Sequence, residues 1–425
     1  MRVLWSINIP LGEAAELMGI GSVATVSWLD YLSKEIRKTC DFAICFPTNE
    51  INEYQMVQGE GITFYAIPRK SKNGYEYEDK LTAYYQRVIR DFKPDVIQQW
   101  GTEFPNAWNL TQASELENML EHTVVHIQGL ISICSKEEHF YASLAEKVVK
   151  SKSFKEYFTG NNLVGLRRKM EKRGEYERLT IQKIHHVIGR TDFDKACTSL
   201  MNPRVHYHYN GEVLRTPFYE NQWNFDSCEK YRIFMSQGGI PYKGMHYALW
   251  ALKKVKETYP NVKLYITGKT LSIHAGLKER MRYSSYELYL AREIERLDLT
   301  DNVVFLGALN AQEMCEQYLK AHVFILPSAI DNSPNSLGEA MILGMPVVAA
   351  DVGGVKNLCK RNEEGLLYQH DADYMLAGYI KEIFEESKEK TIKRGMAARK
   401  HALERFDPEK NELELLKIYE EISRV

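Results

Sequence analysis

The 425-residue chain lacks any run of about 18 apolar residues, so no segment reads as a membrane span. Its first residues, MRVLWSINIP, go straight into a strand pattern, without the apolar core and cleavage site of a signal peptide. Cysteine is sparse. The seven residues (Cys40, Cys45, Cys134, Cys197, Cys228, Cys315, Cys359) are odd in number and scattered, with no CxxC pair and no Cys/His zinc spacing. They read as reduced thiols of a cytoplasmic protein. No charge sign dominates: 55 Lys and Arg against 57 Asp and Glu give a net charge of −2, so no nucleic-acid partner is expected. Short-period repeats and low-complexity tracts are absent too.

What is present is alternation. Short apolar runs alternate with helical patterns, at Val3–Asn8, Phe42–Phe46, Ile62–Ile67, Val96–Trp100, Val124–Gln128, His186–Gly189 and Val205–Tyr209 in the first half. In the second half they fall at Arg232–Ser236, Val262–Thr267, Val303–Leu306, Val323–Leu326, Val347–Ala350 and Leu366–Tyr368. Such alternation predicts an α/β protein with parallel sheets. Thirteen strands exceed one ordinary sheet, so two doubly wound domains are expected. The boundaries read as 1–209, a linker over 210–230 where no period holds, and 231–408, with a helix over 409–425 packing back on the first domain. Ligands in open parallel sheets bind beyond the C-terminal strand ends.

One such end carries AIDNSPNSLGEAMILGMPVVAADVGGV, Ala329 to Val355. Asn335, Ser336 and Leu337 stand where a helix begins, and a helix N-terminus suits a phosphate or diphosphate. The stretch SLGE, Ser336 to Glu339, also has the spacing of a capping box, with Glu339 reaching back to its own helix start.

The whole stretch resembles the signature of retaining glycosyltransferase family 4: an acid (Asp331), seven residues, Glu339, an apolar helix, then GMPVV and GG. The resemblance implies the GT-B fold, two Rossmann-like doubly wound domains facing across a cleft. It implies that Asp331 meets the donor sugar, Asn335, Ser336 and Leu337 the diphosphate, and Glu339 the ribose. Lys243-Gly244 matches the family's Lys-Gly that binds diphosphate, while the family's Arg position falls on Gly238. Arg190, Arg215 and Lys269 are candidates to supply that charge. Gly268, Gly307 and Ala308 follow strands where relatives hold donor groups. Gly19 and Gly21 fall in the family's glycine loop, whose usual GG is replaced by Val26-Ser27.

In the first half, a family histidine near the reacting sugar aligns with Gln128 in one register and with His126 in the other; a packed core histidine is the alternative for His126. Thr102 and Glu103 could bond acceptor hydroxyls or cap their loop. Arg190 and Thr191 end another strand. Asp192 and Asp194 spell DxD, read as helix capping by Asp192, and no metal is expected. From Lys147 to Arg173, nine Lys and Arg face two Glu, with Phe154, Tyr157 and Phe158 among them. That segment reads either as a solvated helical face or as a surface for anionic lipid or a lipid-diphosphate acceptor.

The implied activity is metal-independent hexosyl transfer with retention, without a cofactor. The donor would be a UDP- or GDP-sugar, and the acceptor a saccharide or lipid-linked saccharide of a bacterial surface polysaccharide or glycolipid. The implied place is the cytoplasm, peripheral to the inner face of the membrane. Three readings compete. One is another GT-B activity, such as a pyridoxal-phosphate-dependent phosphorylase or an epimerase. Another is a dinucleotide-dependent oxidoreductase, resting on G-x-G-x-x-A at Gly19 to Ala24. The third is a non-catalytic nucleotide-sugar-binding protein.

Overall fold

The computed structural model describes residues 1–21, 27–272 and 276–424. It divides into two compact units, one of residues 1–133, 169–213 and 406–425, the other of 134–168 and 214–405. Each has its own sheet.

The first sheet holds β1 (Arg2–Ser6), β2 (Asp41–Thr48), β3 (Gln55–Gln58), β4 (Thr63–Pro68), β5 (Val96–Trp100), β6 (Thr123–His126), β7 (His186–Gly189) and β8 (His206–Tyr209). Their order is β3-β4-β2-β1-β5-β6-β7-β8, parallel except for the β3–β4 pair. Alternate side chains build two cores, as the strand period requires. Val3, Trp5, Phe42, Ile44, Phe46 and Phe64 lie in one. Leu4, Ala43, Cys45, Tyr65 and Ile97 lie in the other, against the helix Lys80–Phe92.

The first core is completed by the last helix, Pro408–Ser423, through Leu415, Ile418, Tyr419 and Ile422. These recur at helical spacing on one face. The Tyr419 hydroxyl accepts from Trp5 Nε1 at 2.8 Å and donates to Gln98 Oε1.

The second sheet holds β9 (Arg232–Met235), β10 (Lys263–Thr267), β11 (Val303–Gly307), β12 (Val323–Leu326), β13 (Val347–Ala350) and β14 (Leu366–Tyr368). Its order is β11-β10-β9-β12-β13-β14 and every pairing is parallel. The strands β9, β12 and β13 are buried along their whole length, which is why they read as continuous apolar runs rather than alternating ones.

All thirteen apolar runs are strands. The fourteenth, β3, is a short antiparallel edge, exposed along most of its length. The run ending at Gln128 stops as a strand at His126. Two features differ from the expected boundaries. The units part between Val213 and Leu214, and residues 214–230 pack with the second unit. There, Trp223 donates from Nε1 to the Ala321 carbonyl at 2.7 Å and from its amide to Leu343 at 2.8 Å. Residues 134–168 also belong to the second unit. His246 Nε2 bonds the Ala142 carbonyl at 2.8 Å, and the Ser285 amide donates to Glu156 at 2.9 Å. Both stretches dock through scattered anchors of this kind, which leave no period in the sequence.

Leu415→Ala should destabilise the first unit by about 2–5 kcal/mol, the usual effect of a cavity in a closed core. Denaturant unfolding monitored at that unit should show it as a lowered midpoint.

Candidate functional site

In both sheets the strand order reverses at one point, between β1 and β5 in the first and between β9 and β12 in the second. Loops leaving such neighbouring strands diverge and open a crevice at their C-terminal ends. In the second unit those two loops carry Lys243 and Asp331. Lys243 ends the short turn Pro241–Lys243 after β9, and its Nζ lies 2.8 Å from Asp331 Oδ2. Burial opposes the ammonium's charge, yet the Asp331 carboxylate beside it raises the Lys243 pKa.

Two glycines fix this meeting. Gly244 has φ +76°, and a Cβ there would stand 1.8 Å from the Pro327 carbonyl oxygen of the β12 loop. Gly353 has φ +51°, and its Cβ would stand 2.0 Å from the Asp331 carbonyl oxygen. The next amide, of Gly354, donates to that oxygen at 3.1 Å. Only glycine allows both the left-handed backbone and the close approach. The Lys-Gly and Gly-Gly of the sequence are therefore clamps on the β12 loop.

That loop leads into the helix Asn335–Leu343, with Pro334 at its N-cap and no side chain capping it. The amides of Leu337 and Gly338 turn back to the Pro334 carbonyl, at 3.0 and 3.2 Å, so of the three expected phosphate-binding amides that of Leu337 already has a partner. Ser328 Oγ, Ser333 Oγ and Asn335 Oδ1 are buried without hydrogen-bond partners. Native proteins seldom leave such atoms unsatisfied, and a polar ligand or water is one way they are satisfied.

The capping box does not form. The helix starts at Asn335, one residue before Ser336, and Glu339 turns away from its start. Its carboxylate takes a two-pronged ion pair from Arg215, Nε to Oε1 at 2.6 Å and Nη2 to Oε2 at 2.7 Å. Burial pushes the Glu339 carboxyl up, and Arg215 opposes that. The guanidinium fork matches a carboxylate better than an amide pair does.

Arg215 is thus committed to Glu339. Arg190 is buried in the first unit, paired with Glu212 and bonded to the Gln128 carbonyl at 3.0 Å. Of the three candidate cations, Lys269 alone is largely solvent-exposed, although it pairs with Glu287. Lys269, Gly238, Gly239, Gly268, Glu287 and Phe305 line a cavity of about 170 Å³ beyond β9 and β10. The Gly268 amide donates to the Gly307 carbonyl at 2.8 Å, and Ala308 is exposed just past β11.

In the first unit, the loop after β5 carries Thr102 and Glu103. Thr102 is fully buried and donates to Glu177 Oε2 at 2.8 Å, so its hydroxyl is not open to an acceptor. The Glu177 carboxylate also accepts from the Ile131 and Ser132 amides at 3.0 and 2.9 Å. Sequence reading missed Glu177, which is one of three glutamates among the many charges of the helix Leu163–Lys183 and so carries no signal of its own. Glu103 accepts from the Gly129 amide at 2.8 Å. Burial raises its carboxyl pKa to about 7, with Glu177 adding to the rise.

His126 has no exposed surface; its ring packs at a tilt on Trp100, centroids 4.5 Å apart, and its Nδ1 lies 3.5 Å from Gln98. Burial holds its pKa well below the usual value. This is the core-histidine alternative. Gln128 lies beyond the strand and is half-buried, its carbonyl holding Arg190. Thr191, not Asp192, caps the helix Asp192–Met201, with Asp194 as its reciprocal partner. Gly19 ends the helix Gly12–Met18 at φ +65°, and the Gly21 amide donates to Glu50 at 2.7 Å. A dinucleotide fingerprint should open a helix; Gly19 closes one. Ala24 and Val26 lie outside the described residues.

Residues 217–401 match the family Glycosyl transferases group 1. An uncharacterized glycosyltransferase of Methanocaldococcus jannaschii is 29% identical over 152 residues, 35% of each chain. The D-inositol 3-phosphate glycosyltransferase of Acidothermus cellulolyticus is 28% identical over 167 residues, 38% of this chain and 35% of that one. The matched stretch thus spans about a third of these relatives' length. Solved structures extend the likeness to the whole fold. Sucrose-phosphate synthase of Thermosynechococcus elongatus superposes with a TM-score of 0.67 at 13% identity over 99% of both chains. HepE of Anabaena, solved with UDP and glucose, gives 0.65 at 17% identity over 98% of this chain and 99% of that one. The two-sheet architecture is that of GT-B glycosyltransferase structures, as the resemblance implied.

Two measurements check the electrostatics. Arg215→Ala leaves Glu339 buried and unpaired and should cost about 3–5 kcal/mol of stability, with Glu339→Gln in the same chain restoring part of it. Glu103 takes up a proton on folding between its ordinary value of 4.5 and about 7. Its contribution to stability should therefore fall as pH rises through that window. Glu103→Gln should flatten that slope and stabilise the protein above it, by on the order of 1–3 kcal/mol.

Proposed function

We propose that the chain is a retaining, metal-independent glycosyltransferase that moves a sugar from a nucleoside-diphosphate donor to a hydroxyl of a saccharide or lipid-linked saccharide. The observation that carries this is the Lys243–Asp331 pair, clamped by Gly244 and Gly353 at the second unit's switch point beside buried, unpartnered Ser333 and Asn335 oxygens. The glycosyltransferase match over 217–401 covers these residues.

In this reading the donor's diphosphate sits at the start of the helix Asn335–Leu343, where the dipole and the first amides favour negative charge, and Lys243 supplies a full positive charge. Asp331 accepts from sugar hydroxyls. Glu339 accepts from the ribose: Arg215 uses part of its acceptor capacity, and an ionised carboxylate has about four acceptor positions. The cavity by Gly238 and Lys269 takes the base end. HepE was solved with UDP-glucose, which favours uridine as the first base to try.

The reaction follows a front-face course. The glycosidic bond to the diphosphate breaks, the departing oxygen takes the proton of the incoming hydroxyl, and the new bond forms on the same face. Protein groups chiefly stabilise the developing charge on the diphosphate, so the route needs no separate general base. Glu103, with its raised pKa, remains the first unit's acceptor-side candidate. It binds a hydroxyl as a hydrogen-bonding group rather than forming a covalent intermediate.

Lys243→Ala and Glu339→Ala should each weaken UDP binding by at least about tenfold, the scale of a lost charge-assisted hydrogen bond. A thermal-shift titration with UDP, GDP and their sugars reads this directly. Unchanged affinity in both variants contradicts the donor site, and preference for GDP would replace uridine with guanosine.

A further inference from the structure

The helix Phe154–Thr159 is only six residues long, yet it is held firmly on one side and left bare on the other. Ser153 and Glu156 form a capping box, and the Glu156 carboxylate, 3% exposed, also accepts from the Ser285 amide at 2.9 Å and its hydroxyl at 3.2 Å. The opposite face carries Phe154, Tyr157 and Phe158, at positions i, i+3 and i+4, exposed by 58, 75 and 72%. Their rings pack on one another, Phe154 on Phe158 at 5.2 Å and Tyr157 on Phe158 at 5.5 Å. Leu166, 39% exposed, follows on the next helix. Folded proteins rarely present contiguous aromatic surface without a partner.

The surrounding charge says which partner. Lys147, Lys150, Lys152, Lys155 and Arg168 are all exposed in the same segment of the second unit. The acids of that segment are Glu137, which pairs with Arg167, exposed Glu138, Glu146, which pairs with Lys150, and Glu156, which is turned into the protein, so cations remain in excess beside the aromatics. Three exposed aromatics flanked along the chain by exposed cations suit the boundary of an anionic bilayer, where rings lie at headgroup level and ammonium groups meet lipid phosphates. A protein partner large enough to cover the patch would need a matching acidic rim. A second copy of this chain would bring like charge against like.

We propose that Phe154, Tyr157 and Phe158 form a membrane-docking tip that inserts at the surface of an anionic bilayer, with the surrounding lysines and Arg168 holding the headgroups. The tip is a fixed part of the second unit, because Glu156 ties it to Ser285. Docking there would also keep the chain beside lipid-linked acceptors, but the membrane contact does not rest on the glycosyltransferase reading.

The test uses the full chain and two vesicle types, phosphatidylcholine alone and equimolar phosphatidylcholine with phosphatidylglycerol. The chain should sediment with the anionic vesicles, release with added salt, and ignore the neutral ones. The double variant Tyr157→Ser, Phe158→Ser should lower the partition coefficient at least about tenfold. Lys152→Gln with Lys155→Gln should lower it and weaken its salt dependence. Both variants should keep the parent's thermal midpoint and its response to UDP, which separates lost docking from lost folding or a lost donor site. Tyr157→Trp should gain emission that brominated acyl chains quench. The proposal is overturned if the parent chain binds neither vesicle, if the double variant binds undiminished, or if size-exclusion shows the tip buried in a dimer that the double variant dissolves.

Discussion

Lys243 and Asp331 join two loops that the sheet topology drives apart. At the switch point of the second sheet, the chain leaves β9 and β12 toward opposite faces, and a crevice opens between the loops. The ion pair closes that gap at 2.8 Å, and Gly244 and Gly353 let the backbones approach as far as the pair requires. A partly buried pair of this kind gains little stability for its desolvation. Its value lies in what an anionic ligand would do to it. In the proposed reading, a diphosphate shares Lys243 with Asp331 and loosens the pair, which frees carboxylate oxygen for sugar hydroxyls. The donor would thus complete the site it enters.

Elsewhere the chain uses buried carboxylates as joints. Glu177 ties the helix Leu163–Lys183 to the segments after β5 and β6 through Thr102, Ile131 and Ser132. Glu156 ties an aromatic helix to Ser285. Glu339 and Arg215 tie the β12 helix to the residues that open the second unit's main segment. Each carboxylate is tolerated inside because several donors surround it. Glu103 is the contrast. Burial, with the neighbouring Glu177 carboxylate adding to it, pushes its carboxyl up to about 7 against the opposing Gly129 amide.

The fold was legible because buried parallel strands are apolar runs of the right length, and thirteen of the fourteen strands among the described residues could be read directly. The missing one, Gln55–Gln58, is an edge strand whose exposed residues carry no apolar pattern. Site residues were harder to read. Lys243, Asp331 and Asn335 stand together because the motif encodes loop positions. Arg215 was legible as a cation but not as the partner of Glu339, since that contact spans 124 residues. SLGE has the spacing of a capping box, but Arg215 offers Glu339 a stronger partner than the helix start does. Thr102 follows a strand and His126 ends one, yet both are buried and turned into the protein, a matter of packing that spacing does not record. Glu177 was hidden among the charges of a long helix.

In the proposed reading, the second unit's switch point binds the donor diphosphate. A crystal structure with UDP tests it most directly. Phosphate density is expected at the start of the helix Asn335–Leu343, within hydrogen-bond distance of Lys243 Nζ, with the ribose hydroxyls on Glu339. Nucleotide density elsewhere in the chain, with the Lys243–Asp331 pair undisturbed, would contradict it.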